Sequence, residues 1–158
     1  MDRHQFFWNT MERCAWQYEG NDDKVLRPVV VYLSQQDDDA IFAFHDAMSE
    51  LLYALDTKDL AEACQRADPS MSDDSFLYSR CVALINGPEY YERVRSGIQK
   101  ELWDMEFEAL LYVPGQAWAR KHRQEEDAYP HVPPVSLETG SNLDGWKKPN
   151  SWEGPCQN

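Results

Sequence analysis

Met71-Ser72-Asp73-Asp74-Ser75-Phe76-Leu77-Tyr78-Ser79-Arg80-Cys81-Val82-Ala83-Leu84-Ile85-Asn86-Gly87 is the stretch whose reading decides the fold. Ser72 is suited to cap a helix, because its hydroxyl can accept from an orphan amide of the first turn. Asp73 and Asp74 then fall where the helix dipole favours carboxylates. From Phe76 to Ile85 only Ser79 and Arg80 are polar, so the helix is apolar around most of its circumference and belongs inside a bundle. Gly87 supplies a left-handed stop, and Pro88 can open the next helix at its first position.

Working outward, most of the remaining chain reads as helix. Residues 2–18 place Phe7, Met11, Cys14, Ala15 and Tyr18 at three- and four-residue steps behind an Asp2 cap. Gly20 to Asp23 breaks that pattern. Val25 to Leu33 has strand composition but also a helical face, and it is assigned as helix because no second strand is visible to pair with it. Pro28 then needs a late helix start that puts it in the first turn. Ala40 to about Leu55 is the clearest amphipathic helix, with His45 on its apolar face as a hydrogen-bonded core or boundary histidine. Lys58 to Ala67, Pro88 to about Lys100 with Ile98 inward, Leu102 to Val113, and Gln116 to about Gln124 complete the set, with Pro114-Gly115 as an interruption. The expected fold is all-α, a compact bundle of six to eight helices over residues 1–126. Residues 127–158 form an extended Pro-rich tail that docks Tyr129, Trp146 and Trp152 on the bundle.

The chain has 158 residues and a net charge of −13. Residues 19–74 carry fourteen Asp and Glu against four Lys and Arg, so the acidity is concentrated in the first half. Such a field disfavours nucleic acid and anionic membrane and favours a basic protein partner. No apolar run is long enough to span a membrane, and no secretory signal is read at the N-terminus, so a cytoplasmic location is expected. Cys14, Cys64, Cys81 and Cys156 lack Cys-x-x-Cys spacing and read as reduced thiols.

Chemistry-bearing patterns are sparse. His122 with Glu125 and Glu126 is too thin for a metal site, and no paired Glu-x-x-His exists for a di-iron bundle. Phosphate-binding loops and nucleophile elbows are missing, so no catalytic residue, metal or cofactor is assigned. Asp73 and Asp74 are explained by the helix terminus they occupy. Glu106 has apolar neighbours that imply partial burial, and Arg80 needs a partner if it is buried, which suggests a pair with Glu106 or Asp104.

Ser72-Asp73-Asp74-Ser75-Phe76-x-Tyr78-x-Arg80 resembles the signature Ser-Asp-Asp-x-Phe-x-Tyr-Phe-Arg of a bacterial domain-of-unknown-function family, number 4240. Phe7-Trp8, Phe42-x-x-x-His45-Asp46 and Glu106-Phe107-Glu108-x-Leu110-Leu111-Tyr112-Val113 extend the resemblance to roughly residues 2–126. Ser79 departs from it where the family has Phe, and Cys81-Val82 where it has a small residue followed by Trp. The resemblance implies a compact helical domain and carries no activity.

Together these readings lead to a non-enzymatic acidic protein that binds a basic partner, as antitoxin-like immunity proteins bind secreted toxins. Asp37, Asp38, Asp39, Asp56, Asp59 and Glu62 are the expected contacts. The alternative is a small helical hydrolase or small-molecule binder with a pocket around Glu106, His45 and Arg80. A regulatory role for the tail is the third reading.

Overall fold

The computed structural model describes residues 2–98 and 105–147. Among these residues there are seven α-helices and no strand. They are α1 (Arg3–Met11), α2 (Asp22–Ser34), α3 (Asp38–Ala54), α4 (Lys58–Ala67), α5 (Asp73–Ile85), α6 (Pro88–Arg95) and α7 (Val113–His122). Short 3-10 turns at Trp16–Tyr18, Glu108–Tyr112, Glu126–Ala128 and Asp144–Trp146 join or follow them.

Each of the first five helices is opened by a polar cap, and the caps follow the local sequence. Ser72 Oγ accepts from Ser75 N at 3.1 Å, and Asp37 Oδ1 from Ala40 N at 2.8 Å. Asp2 and Asn21 do the same for α1 and α2 at 3.0 and 3.1 Å. Nine of the residues of α5 are buried, among them Phe76, Leu77, Cys81, Leu84 and Ile85. Its all-round burial matches its composition. The bundle is nevertheless braced by α3, which packs on α1, α2, α5 and α7 with Ile41, Phe44, Met48 and Leu52 fully inside. The cysteines Cys14, Cys64 and Cys81 are free thiols.

Several expected boundaries move. The N-terminal helix ends at Met11, and Trp16–Tyr18 forms a separate tight turn held by Ala15 N–H on Val25 O at 2.9 Å. Pro28 lies well inside α2, not in its first turn; burial of Val25, Leu26, Val29 and Leu33 offsets the ladder bond it removes. Helix α6 stops at Arg95, Gly97 turns the chain with φ +81°, and Ile98 is 73% exposed instead of inward. Residues 108–112 are 3-10, and α7 begins at Val113, so Pro114-Gly115 starts the last helix where an interruption was expected. Proline tolerates that position because its missing N–H would be unpaired in a first turn anyway. Leu102, Trp103, Asp104, Trp152 and Cys156 lie outside the described residues.

After α7 the chain crosses the bundle. Tyr129 sits edge-on to Phe42 and Trp118, while His131 stacks on Phe42 at 4.6 Å. Leu137 and Trp146 also rest on the core.

Candidate functional site

The 3-10 turn Trp16–Tyr18, the reversal at Gly20 and the first turn of α2 form one wall of a cleft; residues 105–112 form the other. Gly20 allows the reversal, with φ +95° that a Cβ would strain. The second wall is pinned to α5: Ser79 Oγ donates to Met105 O at 2.7 Å and Phe107 N donates to Tyr78 O at 3.0 Å. Phe107 turns inward and meets Trp16 edge-on, leaving Glu106 and Glu108 on its two flanks to face solvent. Val82, Ile85 and Asn86 of α5 line the floor.

The cleft comprises two adjoining hollows of about 560 and 350 Å³. Asp22, Asp23, Glu106 and Glu108 line the larger and Glu19 joins at the smaller, and among the described residues neither lining holds a lysine or arginine. Around this acid stand large apolar side chains that folding has left in water: Trp16, Met105 and Tyr112 are 42%, 43% and 47% exposed. Burial and the neighbouring Asp23 raise the Asp22 carboxyl above its ordinary range. Tyr112 O–H donates to Glu108 Oε1 at 2.6 Å, and that bond, with burial and the charge of Glu108, pushes the phenol up to about 12. Tyr78 is shifted upward as well, by burial first and then by Glu108 and Asp74. The cleft is a field of negative charge set among aromatic rings. Among the described residues no three His, Cys, Asp or Glu groups are placed to hold a metal ion.

The residues expected to form a site are dispersed. His45 is half-buried on α3 with Nδ1 at 3.0 Å from Tyr129 Oη, a boundary histidine with a hydrogen bond. Arg80 is 1% exposed in the middle of the bundle. Glu106 is exposed on the cleft rim, because residues 105–107 are not helical and Phe107 takes the inward position. Among the described residues Arg80 and Glu106 share no hydrogen bond or ion pair; Arg80 is bonded instead to Leu52 O, Leu137 O and Thr139 Oγ1. Asp104, the other expected partner, lies outside the described residues.

The acidic residues expected to face a partner are mostly occupied within the fold. Asp37 caps α3. Asp38 binds Lys121 Nζ at 2.9 Å and His122 Nε2 at 2.8 Å, which holds its carboxyl below the ordinary range. Asp56 is 0% exposed and accepts N–H groups of the tail, so it offers no surface to a partner. Glu62 lies 3.7 Å from Lys58, and Asp39 and Asp59 are exposed. Further along α3, Asp46 meets His131 at 2.7 Å, and Glu50 meets Arg3 and His4. The acid of α3 is thus answered by basic side chains from α1, α7 and the tail. Composition counted these carboxylates, but only the fold shows which are already paired.

The profile of a protein family of unknown function, DUF4240, matches residues 1–120. The chain belongs to the DUF4240 family. The match takes in the α5 signature and both walls of the cleft. No curated protein and no solved structure matches the chain.

Proposed function

We propose that this DUF4240 protein is a non-enzymatic binding protein that captures a basic protein partner in the acidic, aromatic cleft between residues 16–23 and 105–112. The observation that carries this reading is the coincidence of two features at one place. Three large apolar side chains remain solvent-exposed there, and among the described residues the lining around the carboxylates holds no lysine or arginine. Exposed Trp and Tyr supply contact energy once a partner covers them. The carboxylates attract lysine and arginine over a distance and select against acidic partners. Arginine suits both features, since its guanidinium can pair with carboxylates while its plane lies on an aromatic ring. Neutralisation of a secreted toxin by direct binding, in the manner of an immunity protein, is the biological role that this surface fits.

The test is affinity capture from the native host with mass-spectrometric identification, using three baits: the unaltered protein, a Trp16→Ala/Glu106→Lys variant, and an Asp39→Lys/Asp59→Lys variant. A basic protein retained by the first and third baits and lost by the second supports the cleft. Equal retention by the first and second rules it out.

A further inference from the structure

The tail completes two buried charges of the helical body. Arg80 Nη1 donates to Leu52 O of α3 at 2.9 Å, but Nη2 donates to Leu137 O at 3.1 Å and Thr139 Oγ1 at 3.0 Å. The Thr139 hydroxyl in turn donates a hydrogen bond to Asp73 O at 2.8 Å, at the start of α5. Asp56, in the turn between α3 and α4, receives Gly140 N–H on both oxygens at 3.0 Å, Asn142 N–H at 3.0 Å and the Trp146 indole N–H at 2.9 Å. Asn142 adds a bond from its side-chain amide to Tyr53 O at 3.0 Å. Gly145 passes so close that a Cβ there would come within 2.7 Å of Asp56 O.

These contacts have the form of peptide recognition. A buried carboxylate and a buried guanidinium read main-chain groups, one hydroxyl and one indole, the Tyr53 carbonyl reads one side-chain amide, and a glycine is required where the two backbones touch. Apolar burial contributes little beyond Leu137 and Trp146, since Leu143 is 73% exposed. The reading segment, Asp56 to Arg80, lies inside the residues that the family profile matches, whereas the segment that is read lies beyond residue 120. Between them the chain runs through Pro130, Pro133 and Pro134, an extended connection.

We propose that the groove over Asp56 and Arg80 is a peptide-binding site of the helical domain, filled in cis by residues 137–146 as a built-in ligand. Its recognition pattern is Thr-Gly-x-Asn-x-x-Gly-Trp, and a segment of that chemistry supplied in trans competes for it. This proposal does not depend on the function assigned to the acidic cleft.

The full-length protein with a protease recognition sequence inserted between Pro133 and Pro134 provides the test. After cleavage, a fluorescent peptide of residues 135–147 is titrated and followed by anisotropy, with helicity monitored by far-UV circular dichroism. The expected result is a cut protein that stays helical and exchanges its tail for the peptide. Peptides carrying Thr139→Val or Gly145→Val should bind about tenfold more weakly or worse. Loss of helicity when the tail leaves, failure to exchange, or equal binding of the altered peptides overturns the proposal.

Discussion

Arg80 shows how one side chain can carry consequences far from its place in the sequence. It is buried beside the apolar face of α5, with its guanidinium carbon 4.7 Å from the centre of the Phe76 ring. Burial lowers its proton affinity and the charge of Asp56 partly restores it. Replacing Arg80 with Met removes three hydrogen bonds, strands the Leu52 and Leu137 carbonyls and takes away the nearby positive charge that favours the buried Asp56 carboxylate. A loss of about 3–5 kcal/mol in urea-unfolding stability is expected. His45 gives a second prediction, with pH as the variable. Burial first, and the facing His131 second, hold its imidazole down at about 4 against an ordinary 6.5, while Asp46 opposes them. Below 6.5 the unfolded chain takes up a proton that the folded ring refuses until about 4. The contribution of His45 to stability is therefore intact above 6.5 and drains away as pH falls towards 4. Unfolding curves at pH 7 and pH 5 should differ less in His45→Gln than in the parent protein.

At the scale of elements, local signals reported best on helix starts. Ser72, Asp37 and Asn21 each accept an amide of the turn they open. Ser72→Ala should accordingly cost about 1 kcal/mol of stability, measured by thermal or urea unfolding. The α5 signature was legible because capping, dipole and apolar composition all agree there. Residues 105–112 differ from the expected helix because Phe107, Leu110 and Leu111 satisfy a helical period, while the interaction of Ser79 with Met105 O, twenty-six residues away, pins the segment to α5 outside a helix. That contact has no trace in local pattern, and the partial burial expected of Glu106 fails for want of it. Pro28 is the opposite case: the local rule argued against its position, and four buried aliphatic neighbours prevailed.

For the whole molecule, charge balance locates the acidic half of the chain but does not tell which of its carboxylates the fold pairs internally. The run Asp37 to Asp39 is the most conspicuous acidic feature of the sequence, yet the fold sets a helix cap and a Lys121–His122 clamp on its first two members. The acid of the cleft comes from two distant segments, residues 19–23 and 106–108, which only the tertiary fold brings together. The same holds for the tail, whose Trp146 was expected on the bundle but whose bond to Asp56 joins residues ninety positions apart. The account rests most heavily on the cleft as an electrostatic docking surface. Its most direct test is the association rate of the captured basic partner with this protein across ionic strength, for the unaltered chain and for Glu106→Lys/Glu108→Lys. A rate that falls about tenfold or more with added salt, and a variant that is slower and nearly insensitive to salt, is the predicted result. A salt-independent rate, or a variant that matches the unaltered protein at every ionic strength, would contradict it.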